Sequence, residues 1–414
     1  MTTTKSNGIS VFGSALVWFG AAVSIAEIEA GTALAPAAAG GRLPAVLAAI
    51  LLGHLLGGTL LFFAALLGAR TRRGAMDCAK AVFAPLGGGF FAALNILQLV
   101  GWTAVMVAQG AGAAGELLGS SVPFPALCAA IGLLVAVWIY IGLRGVGRVN
   151  TVAMALLFAL TALLFVVLLL PSSSAPDAAV APMEGPVFWF AFEMSVAMPL
   201  SWLPLAADYT RDARRPFAAS LAAAAVYTLV SCWMYLIGLI AATYGTFSAA
   251  FAAVGPAALS LAALLVVVLS TVTTTFLDAY SAGESARSLC PRIPAKPFGV
   301  AVVALGTLLA ILGLMDRYLD FLYLIASVFA PMAAALLVAG FSSRRPSPVR
   351  AFLAWLAGFA LYHLCLGPDS LLLAPLHPTW TSPVGATLPA LLVSAILSLP
   401  RPGRRPPPQP GVSP

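Results

Sequence analysis

The chain has 414 residues, 61% of them hydrophobic and 8% charged, and its mean hydropathy is +1.01. Soluble globular domains carry roughly 25% charged residues. A soluble enzyme or binding module is therefore excluded, and the repeated long apolar runs specify an all-α integral membrane protein rather than a barrel. The net charge of +7 reads as a topology signal, with no nucleic-acid role.

The opening MTTTKSNGIS is too short and polar for a cleaved signal peptide, so the first span is expected to act as its own insertion signal. At about 20 apolar residues per crossing, the chain divides into twelve predicted transmembrane helices. They cover 9–35, 43–69, 89–118, 124–143, 149–170, 187–207, 217–244, 256–282, 298–314, 319–341, 351–366 and 384–399. With both termini cytoplasmic, 19 of the 21 Lys and Arg residues fall on the inner side, all but Arg42 and Arg317. That bias in short loops sets orientation. The expectation is a multi-pass protein of the inner (cytoplasmic) membrane, with a cytoplasmic segment at 1–8 and a proline-rich, disordered cytoplasmic tail at 401–414. Cys78, Cys128, Cys232, Cys290 and Cys365 form no C-x-x-C pair and read as small hydrophobes in a reduced setting, and the three histidines are too scattered for a metal cluster.

Four carboxylates fall within spans: Glu27, Glu29, Glu193 and Asp278. An acidic group at mid-span costs about 2.5–3.5 kcal/mol on the insertion scale, so it usually faces a cavity or a partner. Glu29 and Glu193 can also snorkel from near an interface; Glu27 and Asp278 lie deeper. On an intact helix Glu27 and Glu29 point about 200° apart, a conflict that a helix break removes, and EIEAGTALAP supplies Gly31 and Pro36 for one. In span two, His54 lies among small residues and reads as structural rather than as a proton relay. Span three contributes Gln98 and Trp102, four apart, a ring and an amide suited to a flat polar heterocycle; packing and interhelical glue are the competing roles. Span six carries its own interruption, SVAMPLSWLP, with Pro199 and Pro204. Breaks at matching positions of two five-span halves, 9–170 and 187–341, point to inverted repeats with a site at the breaks, the helices of 351–400 being additional.

Span eight holds STVTTTFLDAYSAGES. Thr271, Thr274, Asp278, Ser281 and Ser285 recur every three or four residues and so share one helix face, flanked by Thr273 and Thr275. One such threonine would bond its own i−4 carbonyl. A whole stripe with an aspartate reads as a wetted cavity wall offering hard oxygen ligands to a small cation.

The stretches WFGAAVSIAEIEAGT, NILQLVGWTAVM, PLSWLPLAADYTR and STVTTTFLDAYSAG resemble the nucleobase–cation symporter-1 family, in particular its cytosine-permease-like branch of hydroxymethylpyrimidine transporters. The resemblance implies a leucine-transporter-type fold of 5+5 inverted repeats with broken helices one and six, plus two extra helices. It implies sodium ligands at the backbone oxygens near Val23 and Ala26, the Ser270 carbonyl and the Thr273 and Thr274 hydroxyls. It also implies a substrate set of Glu27, Gln98, Trp102, Ser201 and Asp278, with Trp202 and Thr275. Relatives often carry amides where this chain has Glu27 and Asp278, and the span-eight register is fixed only to within one residue. The carboxylates suit proton coupling, or the ring nitrogen and amino group of an aminopyrimidine.

The function expected is thus secondary active import of a pyrimidine, hydroxymethylpyrimidine or a cytosine-like base, by a monomer coupled to sodium or protons, without organic cofactor. An amino-acid or other small-solute symporter on the same fold is the runner-up, though Glu27 sits badly beside an anionic substrate. An intramembrane acid/base enzyme is the distant alternative; no G-x-G-D, H-E-x-x-H or D-x-x-D motif supports it.

Overall fold

A computed structural model describes residues 8–119, 121–145, 147–169, 181–244, 257–313, 318–343, 346–376 and 380–400. The tail expected at 401–414 lies outside the described residues, as do residues 1–7. Helices dominate because the bilayer interior offers backbone N–H and C=O groups no other partners. In chain order these are α1 (Val11–Ala22), α2 (Ile25–Ala33), α3 (Ala35–Ala38), α4 (Leu43–Thr71), α5 (Ala75–Leu117), α6 (Phe124–Gly145), α7 (Gly147–Leu169) and α8 (Val187–Ser201). There follow α9 (Ala206–Thr210), α10 (Pro216–Ala241), α11 (Ala257–Leu289), α12 (Ala295–Ile311), α13 (Tyr318–Phe341), α14 (Pro348–Leu366) and α15 (Thr387–Ser398). Each predicted span contains a helix. Among the described residues, six are long and apolar enough to cross a membrane alone, the bent pair α1–α2 makes a seventh, and α6, α7, α8, α12 and α15 supply shorter apolar helices.

Both predicted interruptions exist, displaced from where the sequence suggested. The axis bends by 50° between α1 and α2. Val23 closes α1 with its N–H on the Phe19 carbonyl, and Ser24 caps α2 by accepting from the Glu27 N–H at 3.3 Å. The break therefore precedes both carboxylates and is not made by Gly31 or Pro36. Ser24-Ile25-Ala26-Glu27 is an S-x-x-E helix start, while Pro36 sits in the first turn of α3, where its missing N–H costs nothing. Gly31 serves packing: a Cβ there would lie 2.3 Å from the Tyr235 carbonyl oxygen. Glu27 and Glu29 consequently share one unbroken helix, Glu27 buried and Glu29 half-buried, so the break does not resolve their divergence. In span six, α8 runs through Pro199 to Ser201, and the interruption is Trp202–Leu205, which contains Pro204.

Two helix groups flank these breaks. α1, α2 and α4 pack on α10, and α4 lies along α8; α5 lies along α11, with α12 against both and α6 beside α12. α13, α14 and α15 pack on one another, and α13 also touches α8 and α5.

Candidate functional site

The two breaks face a single chamber. It is lined by Ala21, Ser24, Ala26 and Glu27 from the first break, Met198, Ser201 and Trp202 from the second, Trp102 and Met106 from α5, and Thr274 and Asp278 from α11. Its volume is about 20 Å³, room for about one water molecule. Aromatic clusters meet it at Trp102 and at Trp202. On one side Trp102 meets Tyr318 and Phe321 edge-on at 6.1 and 5.5 Å, and the Tyr318 hydroxyl donates to the Ala26 carbonyl at 3.3 Å. On the other, Trp18 packs edge-on against Trp202, Tyr209 and Tyr227 at 5.7, 6.1 and 5.8 Å.

Glu27 stands in the first turn of α2, where the helix dipole favours a carboxylate. The Tyr227 hydroxyl donates to its Oε1 and the Ser231 hydroxyl to its Oε2, each at 2.7 Å. The sequence reading missed both donors, which lie two hundred or more residues away in the chain. A signal was available: Tyr227, Ser231 and Tyr235 are spaced by four and put a polar stripe on span seven. His54, expected to be structural, is buried with Nδ1 2.9 Å from the Ile50 carbonyl and Nε2 2.7 Å from Ser231 Oγ.

Of the expected substrate residues, the structure brings Glu27, Trp102, Ser201, Trp202 and Asp278 to the chamber and leaves Gln98 and Thr275 off its wall. Gln98 lies about 6 Å further down the α5 axis than Trp102, and its Nε2 donates to Asn95 Oδ1 at 2.7 Å and to the Ser201 carbonyl at 3.3 Å. Thr275 is turned about 100° from Thr274; it is buried and its hydroxyl has no partner among the described residues.

The expected sodium ligands divide similarly. Ala26 and Thr274 line the chamber; Val23, Ser270 and Thr273 are buried but do not line it. The Thr273 hydroxyl donates back to the Leu269 and Ser270 carbonyls of its own helix at 2.8 and 3.2 Å. The Thr274 hydroxyl instead crosses to the Gly20 carbonyl at the end of α1, 3.1 Å away. A helix C-terminus leaves such carbonyls without intrahelical partners, so this crossing marks oxygens that can turn to a cation.

The polar stripe of span eight is also shared out. Only Thr274 and Asp278 face the chamber. Ser281 donates to Asp208 Oδ2 at 2.6 Å, while Asp208 Oδ1 accepts from the Ala75 N–H at 2.9 Å. Asn95 Nδ2 donates to Ser285 at 2.8 Å, Arg211 Nη1 pairs with Glu284 Oε2 at 2.8 Å, and the Tyr209 hydroxyl donates to the Leu277 carbonyl. The lower part of the stripe is thus a hydrogen-bonded seam binding α9 to α11 and α5, not a wetted wall. Glu193 has a third role: its oxygens accept from the Ala386 and Thr387 N–H groups at 2.9 and 3.0 Å and from the Thr387 hydroxyl at 2.5 Å, capping α15. It neither snorkels nor lines the chamber.

An all-helical membrane fold with a polar chamber between two interrupted spans defines a multi-pass membrane transporter. The model of the permease family for cytosine/purines, uracil, thiamine and allantoin matches residues 3–347, and the chain belongs to that family. Its role is therefore transport rather than catalysis. Among solved structures the fold is shared by Mhp1, a nucleobase-cation-symport-1 family transporter, closed with bromovinylhydantoin bound: TM-score 0.70, 18% identity, 96% of this chain and 94% of that one. The inward-facing conformation of Mhp1 gives 0.68 and 17% over 94% and 90%. A sodium-coupled sialic acid symporter in a substrate-bound outward-open state gives 0.66 and 13% over 94% and 88%. No curated protein sequence matches the chain.

Proposed function

We propose that the protein is a monomeric cation-coupled symporter that imports a pyrimidine, hydroxymethylpyrimidine first and a cytosine-like base second, by alternating access. The observation that carries this reading is the chamber's lining: two carboxylates, two serines, a threonine and two tryptophans, with no basic side chain among the described residues. Carboxylates accept from ring N–H and amino donors, and an indole face suits a flat heterocycle. An amino-acid substrate would bring a third carboxylate beside Glu27 and Asp278, which disfavours the runner-up. The cation proposed is sodium, held by the Thr274 hydroxyl with main-chain oxygens of the first break around Val23 and Ala26, and by Ser270 and Thr273 once their own-helix bonds are exchanged. Basic residues concentrated on the side of both termini support an inner-membrane protein with cytoplasmic ends.

A heterocycle needs more room than about 20 Å³, so entry requires the Trp102–Tyr318 side to part, and release requires the Trp18–Trp202–Tyr209 side to part. Two aromatic layers on either side of one chamber are what alternating access asks of the fold.

Thermal unfolding of the purified protein with pyrimidines, purines and thiamine, each with and without sodium, tests the reading. A ligand at a hundred times its Kd stabilises by about 2.7 kcal/mol. The expected outcome is a rise in the midpoint with hydroxymethylpyrimidine or cytosine that grows with sodium. A rise that depends on pH instead of sodium assigns the coupling to protons, and no rise with any pyrimidine overturns the substrate assignment.

A further inference from the structure

Behind the chamber wall lies a buried chain of polar groups that the transport reading does not use. It runs from Glu27 on α2 through Ser231 on α10 to His54 on α4, with both links at 2.7 Å. Its members are nearly or fully excluded from solvent, and His54 does not line the chamber. The far end is fixed: the Ile50 carbonyl only accepts, so the imidazole Nδ1 at 2.9 Å carries a hydrogen. The Tyr235 ring stands edge-on to the imidazole with centroids 4.8 Å apart, holding its plane.

Hydrogen counting links the two ends. Ser231 has one hydroxyl hydrogen and two close polar neighbours. If it donates to Glu27, His54 Nε2 must donate to it; if it donates to His54, the Glu27 carboxyl must donate to it. Either way the bond that Ser231 makes with Glu27 Oε2 depends on the one that it makes with His54 Nε2. The Tyr227 hydroxyl fixes the other carboxyl oxygen. His54 thus reaches Glu27 Oε2 through Ser231, on the opposite oxygen from the Tyr227 contact.

We propose that His54 is a positioning residue of the substrate chamber, acting through Ser231 on the Glu27 carboxyl. Where it concerns ligand affinity the proposal rests on the transport reading above; where it concerns Glu27 alone it does not.

Two measurements on the full chain test it. The infrared difference spectrum between the wild type and Glu27→Gln isolates the Glu27 carboxyl band without any ligand. His54→Leu and Ser231→Ala are each expected to shift that band, and His54→Gln, whose amide can reach Ser231, to restore most of its position. A band unmoved in His54→Leu overturns the proposal whatever Ser231→Ala does, and His54→Ala takes its place if His54→Leu does not fold. The second measurement is calorimetric affinity for hydroxymethylpyrimidine and cytosine. His54→Leu is expected to weaken binding about tenfold in the wild-type background and less than about twofold in the Glu27→Gln background, since residues acting through one group are not additive. Equal losses in both backgrounds mean that His54 is mere packing and overturn the proposal. If neither pyrimidine binds the wild type, the transport reading is what fails, and the infrared result still decides the role of His54.

Discussion

Single residues inside this protein are sorted by where their hydrogen bonds end. Thr273 and Thr274 are adjacent and chemically identical, yet one hydroxyl returns to its own helix and the other crosses to Gly20 of α1. Thr274→Ala is therefore expected to reduce sodium-dependent uptake about tenfold, and Thr273→Ala by less than about threefold, measured as initial rates against sodium concentration. Equal losses would place both hydroxyls on the ion. The sequence makes Glu27, Trp102 and Asp278 legible because a carboxylate or ring in an apolar run has few uses. It does not make Gln98 legible, since helical spacing gives direction around the axis but not whether a neighbour has already claimed the side chain; Thr275 is buried about 100° round the axis from Thr274. Tyr227, Ser231 and His54 become partners of Glu27 only through tertiary packing.

Whole elements were readable in outline, and their interruptions less so. Apolar length placed a helix in every predicted span because the bilayer enforces it. Gly31 and Pro36, the conspicuous helix breakers, suggest a break in span one at their own positions, whereas the chain stops and restarts through a serine cap at Ser24. A proline is tolerated in the first turn of a helix and a glycine in a close packing seat, so neither need end one. The last helix depends on a cap from another span. Gly385, with φ +74°, brings the start of α15 onto Glu193, and a Cβ there would lie 2.2 Å from Glu193 Oε1. Glu193→Ala removes charge-assisted bonds worth about 1.5–3 kcal/mol together with the capping of buried N–H groups. We expect a loss of stability of about 2–3 kcal/mol on that basis, read from denaturation midpoints, with substrate affinity retained. An affinity loss as large as that of a chamber variant would contradict the capping role.

At the scale of the molecule, the closed layers around the chamber are unequal. Among the described residues, the layer on the Tyr318 side includes the Trp102 ring contacts and the Tyr318–Ala26 hydrogen bond. The opposite layer adds the seam of Asp208, Ser281, Asn95, Ser285 and the Arg211–Glu284 pair. Breaking that pair should favour opening on the side of Arg211 and Glu284. Cys78 reports on it: the residue is buried beside Thr71, a few residues from the Ala75 N–H that Asp208 holds. In Glu284→Gln, alkylation of Cys78 followed by peptide mass spectrometry is expected to be several-fold faster than in the wild type, while the already half-exposed Cys290 reacts at an unchanged rate. An unchanged Cys78 rate would show that the ion pair does not hold the seam.

The short pairing of Ile9 with Ala213 carries a mechanical implication. The Ile9 N–H donates to the Asp212 carbonyl at 3.1 Å, the Arg214 N–H donates to the Ile9 carbonyl at 3.0 Å, and the Arg214 guanidinium grips the Gly8 carbonyl. This tacks the root of α1 to the chain leaving α9, so a movement of the first part of span one would pull on the second part of span six. A fusion or truncation that pulls residues 8 and 9 out of place would undo that link while leaving the pocket itself intact.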